Sequence, residues 1–257
     1  MTPRDALDRT LLLMRDHLRG EAKDTALLDA LGTTEVVFVA DRKNLRSSEG
    51  QTALVAAAIM CARSGARCYL EIPNVPRRGA QPPLRGNELV HGLFDLGADL
   101  LPGAVFHDGV PAHALDAAVV IGDSPWRGRA AHTWRLSGNA WTGSVGPDGE
   151  RWGSVASPFG ALAAAGLAAG EIFKISMRRL RWWATTLSVF DELFPPTPAA
   201  QLHLAPPGTP APAARVDRLD IVGGGAITHA TLFALARVPT LNATARVIEP
   251  GVADAPT

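Results

Sequence analysis

Residues 218–249 read RLDIVGGGAITHATLFALARVPTLNATARVIE, and this stretch carries the residue types best suited to holding an anion. A strand at 218–222 runs into three glycines, a helix at 225–238 follows, and a second strand spans 243–248. In this order Gly223 lets the chain turn off the strand and Gly225 lets backbone approach a phosphate. Amides at the start of the helix then meet the negative charge with the positive end of the helix dipole. Glu249 stands 24 positions after Gly225, at the end of the second strand, where an acidic side chain accepts hydrogen bonds from ribose hydroxyls. The expected nucleotide-binding set is Gly223, Gly224, Gly225, Ala226 and Glu249. Thr228 takes the place of a third glycine, which is expected to loosen helix–strand packing. No lysine follows Gly223, so a Walker-type phosphate loop is excluded.

Other reactive side chains carry weaker patterns. His107 and His113 flank a loop without a cysteine or carboxylate cluster, so a metal centre is not expected. His229 sits one turn into the glycine-loop helix and reads as a surface or packing residue. Lys174, Arg178, Arg179 and Arg181 beside Trp182 and Trp183 read as a solvated face next to two packing tryptophans. Ser47 and Ser48 lack a histidine–aspartate pattern that would make a nucleophile. Cys61 and Cys68 fall in apolar helix and strand patterns and read as buried thiols.

The elements that must position the glycine turn begin far upstream. Residues 1–32 follow helical spacing, with Gly32 as terminator. A buried strand at 35–40 (EVVFVA), a helix at 50–64 and a strand at 67–72 form a βαβ unit. Its first turn, ADRKNLRSSEG, has no glycine fingerprint, so backbone cannot closely approach a pyrophosphate there. A proline- and arginine-rich loop at 73–86 leads to a short helix at 87–96 with Asn87 as N-cap. A third buried strand covers 117–122, and residues 133–145 alternate as antiparallel strands. The helix at 159–180 is expected to bury Phe159, Leu162, Ala163, Leu167, Phe173, Met177 and Leu180, with Gly166 and Gly170 allowing a neighbouring backbone to come close. Residues 201–204 add one more strand. The domains implied are 1–204, a degenerate Rossmann-like unit; 205–216, a Pro/Ala-rich linker; and 217–257, a partial βαβ nucleotide-binding unit. The fold class is α/β, a Rossmann-like three-layer sheet with helices on both faces.

Composition bounds these readings. The chain has 257 residues, with 25 basic and 25 acidic side chains, so no net charge draws it to nucleic acid or an anionic membrane. Apolar residues make up 47% and charged ones 19%, which is globular. Charges surround the apolar patch at 11–14, unlike a secretory leader. The uncharged stretch at 153–170 is Ala/Gly-rich with a proline, and reads as an internal helix rather than a membrane span. Cytoplasmic localisation is expected.

The sequence IVGGGAITHATLFALARV, followed by a strand and IEPGVADAPT, resembles the start of the adenylation domain of the ThiF family, which includes the ubiquitin-activating-like enzymes. Gly223 and Gly225 match that family's Gly-x-Gly-Gly-x-Gly turn, whereas Ala226 and Thr228 depart from it. Glu249 falls on the first acid of its Asp-x-Asp element, and Gly251 occupies the second position. SPFGALAAAGLAAGEIFK is similar to the family's Ala-rich helix ending in Glu-x-x-Lys. The resemblance implies a degenerate adenylation-like half followed by the start of a second one. It further implies ATP and magnesium as cofactors, and a carboxylate as substrate, often the C-terminus of a ubiquitin-like or sulfur-carrier protein; a homodimer is also possible. The family's Asn-x-Asn-Arg element, lysine and magnesium-binding aspartate normally lie beyond the acidic strand end. This sequence stops at Thr257, so it is expected to be truncated and inactive alone. Two other readings stay open: an NAD(P)-binding oxidoreductase using the same turn, and a non-enzymatic scaffold that binds a partner protein.

Overall fold

The computed structural model describes residues 2–100, 106–153, 157–211, 215–239 and 241–249. Its centre is a seven-stranded sheet. Strands β1 (Glu35–Val39), β2 (Arg67–Glu71), β3 (Phe106–Asp108), β4 (Leu115–Ile121), β5 (Ala130–Gly138), β6 (Thr142–Gly146) and β7 (Ala200–His203) stand in the order β3-β2-β1-β4-β5-β6-β7. From β3 to β5 the pairing is parallel, and β5-β6-β7 is antiparallel. The chain is thus an α/β protein with a Rossmann-like, mostly parallel sheet flanked by helices.

The β-branched run that makes β1 is buried on both faces, as a central parallel strand requires. Helices α4 (Ser48–Arg63), α5 (Leu89–Leu100) and α6 (Phe159–Arg178) belong to the main packing layer, with α4 against α6. Val36 and Phe38 face this layer, while Val37, Val39, Ala118 and Val120 form a second cluster on the opposite face with Tyr69 and Trp126. Cys61 and Cys68 are buried free thiols, and burial pushes Cys61 up to about 12.

Several local expectations need correction. The N-terminal region is not one helix but three: α1 (Pro3–Ala6), α2 (Asp8–Arg15) and α3 (Asp24–Gly32). They pack with α7 (Leu187–Leu193) around Leu11, Met14, Leu27, Phe190 and the end of α6. The helix expected at 87–96 begins at Leu89, and Asn87 does not cap it. Instead Asn74 Oδ1 accepts from Val90 N at 3.3 Å, a partner supplied by the preceding loop. β3 was not foreseen.

In α6 the buried face is the small-residue one. Gly160, Ala161, Ala164, Ala165, Ala168, Ile172 and Ile175 face inward; of the residues expected there, Ala163, Met177 and Leu180 are buried, whereas Phe159, Leu162, Leu167 and Phe173 are only partly covered. Gly166 and Gly170 face solvent with nothing near a notional Cβ. The close backbone approach falls instead on Gly160 and Gly143, where a side chain would strike Asn139 O and Ala164 N. This helix is long and apolar enough to cross a membrane by length and composition, and more than half of it is buried within the fold.

The carboxyl-terminal unit is β8 (Arg215–Val222), α8 (Ala226–Leu235) and β9 (Asn242–Ile248), with β8 and β9 paired in parallel as a two-stranded sheet. Arg215 and Val216, expected in the linker, are already strand. The segment at 205–211 is tied back where Trp141 Nε1 donates to Pro210 O at 2.7 Å.

Candidate functional site

The glycine turn leaves β8 at Gly223, whose φ of +95° is in the left-handed region that favours glycine. Gly223 N donates to Ile248 O at 2.8 Å, prolonging the β8–β9 ladder by one bond. Gly224 N donates to the Glu249 carboxylate, and a Cβ on Gly224 would sit 2.8 Å from Glu249 Oε2. These two amides are therefore already partnered within the chain, and the expectation that all three glycine amides face a phosphate needs correction. Gly225 caps α8 in extended conformation. The first intrahelical bond runs from His229 N to Gly225 O at 3.1 Å. The amides of Gly225, Ala226, Ile227 and Thr228 precede it and have no helical acceptor. A Cβ on Gly225 would meet nothing within 4 Å, so the space above the helix start is open.

Tertiary structure thus brings Gly224 and Glu249 together across the strand ends, with Gly223 and Gly225 on either side and Ala226 at the exposed first turn. Gly251 lies outside the described residues. Thr228 does not loosen the unit: its hydroxyl is buried and donates to Gly223 O at 2.6 Å, tying the first helical turn to the loop.

The equivalent position in the first βαβ unit is closed. Asn44, fully buried, fills the crevice beyond β1 and β4, the point where strand order reverses and open sheets bind ligands. Its Nδ2 donates to Asp41 Oδ1 (3.0 Å), Asp123 Oδ1 (2.8 Å) and Ser124 Oγ (3.1 Å), and its Oδ1 accepts from Trp152 N (3.1 Å). Asn44's bond is the main reason the Asp123 carboxyl lies below its ordinary value, helped by Arg151 against the opposing effect of burial. Gly122, with φ of +59°, has no room for a Cβ beside Asn44 Oδ1. Nothing in DRKNLRSSE marks Asn44 as inward-facing, so sequence reasoning missed it.

The other expected residues serve the framework. Glu171 Oε1 pairs with Lys174 at 2.7 Å and its Oε2 accepts from Thr197 N at 2.7 Å, so the Glu-x-x-Lys pair clamps the segment leading to β7. Arg179 pairs with Asp116 and Arg181 with Asp191. Trp183 packs on the helical cluster, but Trp182 is 86% exposed, contrary to the expectation of two packing tryptophans. Ser47 caps α4 by accepting from Gly50 N at 3.0 Å. His113 bonds Glu35 at 2.6 Å and His107 stacks near Tyr69. Among the described residues no group of three or more His, Cys, Asp or Glu gathers as metal ligands. A cleft of about 350 Å³ is lined by Ser137, Asn139, Ser144, Asp148, Glu150 and Gln201, none of them in the glycine turn.

The second unit is anchored through Arg237. This residue is buried, stacks 3.6 Å over the Phe233 ring, and donates to Phe233 O at 2.7 Å and to Pro82 O in the first sheet's loop. Desolvation lowers its pKa to about 10.

A family profile described as the BilD N-terminal domain matches residues 35–193. The chain belongs to that family. The BilD N-terminal domain match runs from β1 to the end of α7, so it covers the sheet and the Asn44 plug and stops before β8. A crystal structure of selenomethionine PaaA is similar in fold, at 13% identity and a TM-score of 0.50, over 68% of this chain and 75% of that one. A search of curated proteins finds no match.

Proposed function

We propose that this chain serves a ThiF-like, ATP-dependent activation of a carboxylate, with the C-terminus of a ubiquitin-like or sulfur-carrier protein as the substrate class. The observation that carries this reading is the open start of α8 with the Glu249 carboxylate folded onto Gly224. Four amides without helical acceptors and unobstructed space suit phosphate, and a carboxylate at the strand end suits ribose hydroxyls. The nucleotide therefore fits the residues present. Magnesium would be held chiefly by the nucleotide's phosphates and water, since no group of three or more His, Cys, Asp or Glu gathers among the described residues. When bound, ATP supplies an α-phosphate for carboxylate attack, with pyrophosphate leaving.

The chain's own residues bind and orient rather than neutralise charge. After Gly225 the only arginines or lysines are Arg237 and Arg246. Arg237 is committed to two carbonyls, and Arg246 Nε pairs with Asp220 at 3.1 Å. With both of these engaged, no free cation follows the glycine turn among the described residues to stabilise charge in the transition state, and catalysis by this unit alone is not expected. Calorimetric titration with ATP–magnesium should give binding that Glu249→Ala and Gly225→Val both abolish, while pyrophosphate exchange by the chain alone stays silent. Binding of NAD but not ATP would overturn the reading in favour of an oxidoreductase.

The plugged crevice beyond β1 and β4 favours a second reading for the first unit, that of a scaffold that binds a partner protein. Stable partner capture with no nucleotide binding at either unit would select it.

A further inference from the structure

Strands β1 and β2 end at the same edge of the sheet, and the segments leaving them, 40–47 and 72–88, are stapled together. Gln51 Nε2 donates to Leu45 O (2.9 Å) and Pro76 O (3.0 Å), while its Oε1 accepts from Arg78 N (2.7 Å). Gln81 Nε2 donates to Ser48 O (3.1 Å), Thr52 Oγ1 (3.0 Å) and Arg78 O (3.3 Å). Both glutamines are buried, and prolines 73, 76, 82 and 83 stiffen the longer segment. The result is a fixed rim rather than two loose loops.

That rim is strongly cationic. The two segments carry Arg42, Lys43, Arg46, Arg77, Arg78 and Arg85 against only Asp41 and Glu88. Asp41 is turned inward, accepting from Asn44 N and Nδ2. All six cations except the half-buried Arg77 are exposed, and among the described residues none forms an ion pair. Elsewhere exposed arginines are commonly neutralised, as Arg67 is by Glu35, Arg179 by Asp116 and Arg181 by Asp191. An uncompensated cluster on a chain of zero net charge is a local feature, and self-repulsion makes it unfavourable unless something covers it.

We propose that this rim docks an acidic segment of a partner protein, several carboxylates lying across the surface. Guanidinium groups take carboxylates in bidentate pairs, and five of the six cations are arginine. Neither segment contains an aromatic residue or histidine, so there is no platform on which bases of a nucleic acid would stack. The Asn44 plug closes the crevice behind the rim, so the anion lies on the surface and does not enter between the strand ends. The proposal stands on this charge geometry and does not depend on nucleotide binding at the glycine turn.

The test is fluorescence anisotropy of a labelled short poly-glutamate peptide titrated with the full chain at low and physiological ionic strength. Binding should weaken as salt rises. Arg46→Glu with Arg78→Glu should reduce affinity about tenfold or more, and reversal of the exposed Arg9 and Arg178 should leave it unchanged. Arg46→Gln with Arg78→Gln gives the same reading, at smaller amplitude, should the double reversal fail to fold. Absence of peptide binding, or equal losses in the rim and control variants, overturns the proposal. So does tighter binding of a single-stranded oligonucleotide that the rim variants also lose. ATP titration of the rim variants separates this outcome from that of the nucleotide reading, since those variants should bind ATP as the parent does.

Discussion

After β1 and after β8 the chain makes the same manoeuvre, leaving a parallel strand for a helix that crosses to a neighbouring parallel strand. The first turn is filled by a side chain: Asn44 satisfies Asp41, Asp123, Ser124 and Trp152 at once, and the helix start behind it is capped by Ser47. The second turn is built from glycines, and its helix start has no side-chain cap. One turn has exchanged ligand-binding capacity for internal hydrogen bonds; the other engages the Gly223 and Gly224 amides within the chain but leaves those from Gly225 to Thr228 without helical acceptors. The difference teaches that a βαβ layout sets where an anion would sit, while the residues in the turn decide whether the place is free.

Breaking the first turn should have the largest effect. Asn44→Ala leaves two carboxylates, a hydroxyl and a buried amide without their shared partner, and is expected to destabilise the fold by about 3 kcal/mol, measured by urea unfolding. If the crevice is otherwise nucleotide-competent, the same variant would also gain ATP binding, and no gain is expected because the glycines are missing. Next comes the joint between the two units. Arg237→Ala removes the buried guanidinium from Pro82 O and Phe233 O. It should loosen docking of the second unit by about 2 kcal/mol, seen as faster proteolysis around residues 205–211 with the first sheet's melting unchanged.

A smaller effect sharpens the second turn. Thr228→Val removes the bond to Gly223 O and should cost about 1 kcal/mol in local protection, read by amide exchange at the start of α8. The smallest is a titration. The Asp123 carboxyl is held below its ordinary value of 3.8 chiefly by Asn44. A depressed carboxyl contributes stability that is present above its unfolded value and lost as pH falls through the folded one. Asn44→Ala should therefore move the Asp123 resonance midpoint upward by NMR and flatten the acid limb of stability below about pH 4.

The residues that announced themselves were those whose chemistry is local. A β-branched run such as 35–39 has little choice but to be a buried strand, and Gly223 turns because a left-handed residue after a strand favours glycine. Thus the α/β class, the βαβ order and the glycine turn were legible. The three-residue β3 was not, since it is too short for a pattern and exists only because β2 offers an edge. On the helix at 159–180 the expected burial of Ala163, Met177 and Leu180 holds, but that of Phe159, Leu162, Leu167 and Phe173 does not, because size alone does not say which side faces the sheet. Packing selected the alanines instead, where Gly143 and Gly160 allow the hairpin backbone to press against the helix.

By itself, then, the sequence determined the principal strands and helices, β3 excepted, and that one strand-to-helix turn is glycine and the other is not, because backbone preference and side-chain periodicity act over a few residues. Only tertiary structure decided that Asn44 points inward, that Arg237 is buried against a carbonyl from residue 82, and that six cations from two segments share one edge. Each depends on atoms far apart in the chain becoming neighbours, and whether a polar side chain is solvated or spent is settled only by those neighbours.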